Sequence, residues 1–413
     1  MENKKYKFRY YYGLIAFVVS VVLLIFVCGP LQLQFGMAGL AATEIILLLL
    51  AVGAALLTKK LTGTSLKEIF PIRVPNPRQI LGSVLIYFGG YALMLSSAYL
   101  SMFFFPEAME IATQLSDFTT TVPFPLAILI TAVMPAICEE ALHRGFIMAS
   151  FRTLRDEPRL KGKETLARAL VVGLCGIIFG LFHLDPTRLI PTAILGAVFA
   201  YMNIKTESIL PSVIMHFTNN VFSVISMYAM SALQQAVPEE QLEAALEAAE
   251  AASSSSMFSD LRAVAGLALI LTGVALPLLY GGIKMLNPKK RGFAGVYPTY
   301  PNYTTGNQTS PAGGGSPIYG ENPPQGYVVT QDGDVLDASS GENAYAEQEP
   351  AAQKSSASPL AKAVAVGLTS LVLIVGGSVL IAMSDTMPAE RPFSFEQRID
   401  EETAVSETTF ASE

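Results

Sequence analysis

The feature that most constrains this chain is the length of its apolar runs. A helix needs about 20 consecutive apolar residues to cross a hydrocarbon layer of ~30 Å. Nine stretches reach or approach that length: about 10–28, 36–57, 80–104, 124–151, 168–184, 188–203, 208–229, 262–286 and 362–383. Charge is segregated from them: 15% of residues are charged against 51% hydrophobic, with a mean hydropathy of +0.44. Lipid offers the backbone no hydrogen-bond partners, so runs of this kind must satisfy themselves as helices. The expected fold class is an all-α polytopic membrane protein. The 168–184 and 188–203 runs are short and fit either a hairpin or tilted spans.

The loops carry a second pattern. Lys and Arg in short loops mark the cytoplasmic side. Lys4, Lys5, Lys7 and Arg9 place the N-terminus inside, and Lys59, Lys60, Lys67, Arg73 and Arg78 bring the next loop back there. The loop with Glu107, Glu110 and Asp117 has no basic residue and is expected outside. Arg152, Arg155, Arg159, Lys161, Lys163 and Arg168 return the chain to the cytoplasm. Segment 231–261 is acidic, which suits the outside, and Lys284, Lys289, Lys290 and Arg291 lie inside again. The first run has a basic flank but is full-length and lacks a small-x-small cleavage site, so it reads as an uncleaved helix. The formal charge of −7 comes from loops and tails and gives no argument for nucleic acid. Three cysteines, Cys28, Cys138 and Cys175, all in apolar runs, are no disulfide framework. Cys138 adjoins Glu139, but packing is the preferred reading of it.

Four regions are expected. Residues 1–286 form an eight-helix core. Residues 287–358, rich in Gly, Pro and Tyr, have too few apolar residues for a core and read as a disordered linker. Residues 359–384 hold a ninth transmembrane helix, and 385–413 form an acidic tail that places the C-terminus outside. Segment 237–252, with Pro238 near its start, is expected to be a short helix over the outer face.

Ionisable side chains in a span cost roughly 2.5–3.5 kcal/mol each at the helix centre and default to a functional hypothesis. The fourth run reads PLAILITAVMPAICEEALHRGFIMASF and places Glu139, Glu140, His143 and Arg144 in one helix, with Pro135 just before them. Glu140 and Arg144 are four apart and share a face. Glu139 and His143 have the same spacing, rotated by roughly 100°. Phe179 and His183 recur one turn apart in the next run, and His216 and Asn220 further on. Counting about 1.5 Å per residue from Arg152, Arg168 and Lys205 puts Glu139 and His183 about 20 Å deep and His216 about 16 Å. The three helices can therefore meet at one level. Gly176 and Gly180 form a G-x-x-x-G pair, read as a packing device.

The order Glu139-Glu140-x3-Arg144, Phe179-x3-His183 and His216-x3-Asn220 resembles the CAAX protease and bacteriocin-processing (Abi) family of intramembrane proteases. The likeness covers about 80–230 by motif and extends to 1–286 by architecture. The family often has an aromatic residue before the motif arginine, where this chain has His143, so whether His143 joins the site stays open. The resemblance implies an intramembrane endopeptidase acting on a membrane-associated peptide or protein, by CAAX-type or leader-peptide processing. It makes Glu139 the general base on water with His183 beside it, and His216 and Asn220 the oxyanion donors. Glu140 and Arg144 are then a supporting ion pair, and Phe179 packs. Glu and His are also a plausible zinc set, but H-E-x-x-H is absent and a metal-free mechanism accounts for Asn220. No metal is expected to be obligatory; if one is bound, zinc on Glu139, His183 and His216 is the expectation. The alternatives are a non-catalytic scaffold or bacteriocin-immunity protein using the same pocket, and a proton-coupled transporter. The transporter should show paired repeats, which are not found. The expected partners are the lipid bilayer, the peptide substrate and an unknown partner for the linker, with no nucleic acid. The expected location is the plasma membrane of a bacterium.

Overall fold

In the computed structural model the apolar runs are helices. The structure describes residues 6–105, 108–236, 261–287, 327–329, 335–337 and 358–384. In chain order the helices are α1 (Tyr11–Phe35), α2 (Met37–Thr62), the single turn α3 (Leu66–Ile69), α4 (Pro77–Phe104), α5 (Ala108–Thr120), α6 (Phe124–Asp156), α7 (Glu164–Phe182), α8 (Leu189–Thr206), α9 (Leu210–Ala236), α10 (Leu261–Leu286) and α11 (Pro359–Ser384). Eight of them are long and apolar enough to cross a membrane: α1, α2, α4, α6, α7, α8, α10 and α11. All nine expected runs are thus helical. α9 is 27 residues long but carries His216, Thr218, Asn219, Asn220, Ser223 and Ser226, which lowers its hydropathy. The short runs are two separate helices of 19 and 18 residues packed on one another.

Local chemistry sets the ends. Asn76 caps α4 through Gln79 N–H while the Gln79 side chain answers the Asn76 N–H, with Pro77 at the first position. That reciprocal pair satisfies two N–H groups the helix cannot. α2 stops at Gly63, whose φ of 82° is the left-handed conformation in which a helix commonly terminates. The loop after α3 is stitched to the α8–α9 corner: Ile209 N–H donates to Pro71 O at 2.9 Å, and Arg73 pairs with Glu207.

Two clusters make the core. The larger gathers Leu47 and Ala51 of α2, Leu142, Phe146 and Phe151 of α6, Cys175 and Phe182 of α7, and Ala200 of α8. The smaller joins Ile86 and Tyr87 of α4, Leu195, Phe199 and Met202 of α8, and Leu286 of α10. α8 belongs to both and joins them.

A separate unit spans 299–363. Within it an antiparallel pair, β1 (Tyr327–Val329) with β2 (Val335–Asp337), is described. The rest of the expected 287–358 linker, the 237–252 helix and the 385–413 tail lie outside the described residues, apart from Asn287 and Ser358. α5 occupies a stretch expected to be loop.

Candidate active site

α6 is irregular where its polar residues lie. Wide π-type turns at Leu129–Val133 and Ala141–Ile147 flank the α-helical stretch Met134–Glu140. Such turns are rare and concentrate at functional sites. Pro135 contributes directly: it has no N–H to give the carbonyl four residues earlier, which is that of Thr131. Asn220 Nδ2, from α9, donates to Thr131 O at 3.0 Å. The proline therefore does more than bend the helix; it frees the acceptor on which Asn220 is anchored.

Glu140 and Arg144 pair as their spacing predicts, with Arg144 Nη1 donating to Glu140 Oε1 at 2.7 Å and both side chains fully buried. Arg144 is held from three sides. Its Nη2 donates to Gly196 O at 3.3 Å, and its guanidinium lies 4.1 Å over the Phe179 ring and 5.1 Å from the Phe199 ring. The same Glu140 oxygen accepts from His216 Nδ1 at 3.0 Å. One carboxylate thus orients both the arginine of its own helix and the histidine of α9.

α7 reaches this cluster because it packs very closely on α8. A Cβ at Gly176 would stand 2.7 Å from Ala193 O, and one at Gly180 would stand 2.5 Å from Leu189 O. Only glycine lets the backbones come that close. The approach sets Phe179 among the polar groups: its ring lies 5.1 Å from His143, 5.0 Å from His183 and 5.8 Å from His216. Phe179, expected only to pack, is the common neighbour of all three histidines and of Arg144. His183 stands just past the end of α7, with Nδ1 2.8 Å from Phe179 O. A carbonyl can only accept, so Nδ1 carries the hydrogen and Nε2 of the neutral ring is the acceptor.

The structure leaves Glu139 half-buried, with Oε2 enclosed and no hydrogen-bond partner to it among the described residues. Glu139 and His143 do not act as a one-turn pair. The wide turn begins at Ala141, and the His143 ring is turned into α7, edge-on to Phe179 and to Phe182 at 4.6 Å. Neither His143 nitrogen has a hydrogen-bond partner among the described residues.

The arrangement has defined chemical capacities. His216 has Nδ1 committed to Glu140, so its Nε2 accepts when the ring is neutral and donates once it holds a second proton. Asn220 uses one amide hydrogen on Thr131 O, and its Oδ1 accepts from Asn219 Nδ2 at 3.2 Å, which leaves one N–H to offer. Among the described residues no group of three or more His, Cys, Asp or Glu side chains is placed so that it could hold a metal ion.

Sequence reasoning missed Phe199 and Gly196, which hold Arg144 from α8, and the Thr131 carbonyl, which Pro135 marks. It also missed Glu44, a buried carboxylate on α2. The signal for Glu44 was available, since it is a lone acid within an apolar span.

Residues 121–222 match the family described as Type II CAAX prenyl endopeptidase Rce1-like. The matched stretch contains Glu139, Glu140, Arg144, Phe179, His183, His216 and Asn220, and it bears out the resemblance read from their spacing. No curated protein and no solved structure matches the chain.

Proposed function

We propose that this chain, whose residues 121–222 match the Type II CAAX prenyl endopeptidase Rce1-like family, is an intramembrane endopeptidase that hydrolyses a peptide bond of a membrane-associated peptide or protein. The observation that carries the reading is the convergence of α6, α7 and α9 on one buried polar cluster. Glu140 binds both Arg144 and His216 there, and Phe179 contacts all three histidines. Burying these groups in an apolar protein is costly, and a structural ion pair does not account for the unpartnered Glu139 oxygen beside it.

On this reading Glu139 takes a proton from water as the water oxygen attacks the scissile carbonyl carbon. His183 Nε2 accepts a hydrogen bond from the other O–H of that water and so orients it. The carbonyl oxygen becomes an oxyanion facing the free N–H of Asn220 and Nε2 of a protonated His216. Preorganised donors of this kind contribute most in a site that excludes bulk water. The proton held by Glu139 then passes to the leaving amine as the C–N bond breaks, giving one product that ends in a carboxyl group and one that ends in an amine. Glu140 and Arg144 do not touch the reacting atoms. They fix His216 and the α6–α8 spacing.

The test is a comparison of cell membranes carrying the wild-type chain or Glu139→Ala. A membrane peptide precursor should accumulate with the variant and its trimmed form should disappear. Equal processing by the two would overturn the catalytic reading and favour a binding role for the same pocket.

A further inference from the structure

Glu44 lies on α2 where that helix packs against Met134–Ile147 of α6. It is 3% exposed, and its Oε2 has no hydrogen-bond partner among the described residues. The facing acid on α6 is Glu139, whose Oε2 is enclosed and unpartnered in the same way. Both acids thus lie on the two helices that pack here, each with an enclosed oxygen and no partner to it among the described residues. Polar groups continue from Glu44 toward the end of α1. Thr43, 2% exposed, donates to Gly39 O at 3.0 Å and accepts from Gln32 Nε2 at 2.9 Å. A dry interior does not leave carboxylate oxygens without partners. Such groups are satisfied by ordered water, and a buried water needs roughly two to four polar partners.

We propose that Glu44 is a positioning residue of the site: a water that donates one O–H to Glu44 Oε2 and the other to Glu139 Oε2 holds the Glu139 carboxylate with Oε1 directed at the reacting water. The inference rests on the hydrolytic reading above. Glu44 takes and gives no proton in the reaction; it sets the orientation of the residue that does.

Two measurements test it, one of them independent of activity. In a chain carrying C28A, C138A and C175A, E44C should react with a small water-soluble methanethiosulfonate at least tenfold faster than L47C or A51C. Leu47 and Ala51 are buried on the same helix. Equal reactivity would overturn the proposal, because water would not reach position 44. In the otherwise natural chain reconstituted in lipid, E44Q should lower kcat tenfold or more with KM within twofold and the melting temperature retained, and E44D should recover part of the rate. An unchanged kcat in E44Q would overturn it as well, leaving Glu44 a structural acid. If instead E139Q cleaves as the wild type does, the parent reading fails, and the labelling still decides whether water occupies the Glu44 side.

Discussion

The α7–α8 pair and the α10–α11 pair are built alike and do different things. Both are close helix pairs made possible by glycine. A Cβ at Gly266 of α10 would stand 2.5 Å from Gly377 O of α11, much as one at Gly180 would from Leu189 O. Small residues let helices approach in lipid, where apolar burial alone gives no drive to associate. The contents differ. α7–α8 carries Phe179 and the Gly196 carbonyl against Arg144, and His183 follows α7 directly. The α11 residues that meet Gly266 and Gly273 of α10 are Ser370, Ile374, Gly377 and Ile381, none of them ionisable. The most apolar 18-residue window is 50% buried in α8 and 11% in α11. Close packing therefore does not mark a site. Buried polar groups that close packing brings together do.

That contrast can be broken in graded steps. Arg144→Ala should do the most damage, because it strands the Glu140 carboxylate: about 3–5 kcal/mol of stability lost, read as a lower melting temperature, with cleavage gone. A variant that melts with the wild type would show that the pair is not what holds α6 to α8 and α9. Asn220→Ala should reduce kcat by about 10²–10³-fold, in line with removal of one oxyanion donor. Its KM and melting temperature should change little, which separates it from the first variant. Gly180→Leu should force α7 from α8, costing about 1–3 kcal/mol as an overpacked contact does, and should lower cleavage with stability. Gly377→Leu creates the same clash between α10 and α11 but should leave the cleavage rate within about twofold of wild type, the overpacking cost falling on α11 alone. If Gly377→Leu abolished cleavage, the α10–α11 contact would bear on the site as the α7–α8 contact does.

Much of this is legible in the sequence. Apolar length located all nine long helices, because the requirement it reflects is set by the bilayer and not by neighbouring chain. One-turn spacing paired Glu140 with Arg144, because both partners lie on the same helix. What failed to show were features decided between helices. Phe179 looked like packing, since its four polar neighbours come from three elements and meet only after Gly176 and Gly180 let α7 close on α8. Glu139 and His143 have a spacing that suits a regular helix, and the wide turn from Ala141 turns His143 toward Phe182 instead. α5 reads as loop in the sequence because its stretch, AMEIATQLSDFTT, mixes apolar and polar residues over only 13 positions. Pro135 is visible in the sequence, but its consequence, a Thr131 carbonyl open to Asn220, depends on where α9 lies.

The central claim is that Glu139 activates water within this cluster. The most direct measurement uses purified wild-type and Glu139→Gln chains in lipid nanodiscs with one membrane peptide that the wild type cleaves, recording kcat and peptide affinity for each. Loss of a general base predicts a kcat lower by about 10²–10⁴-fold, with affinity and melting temperature unchanged. A Glu139→Gln chain that cleaves at the wild-type rate would contradict the account.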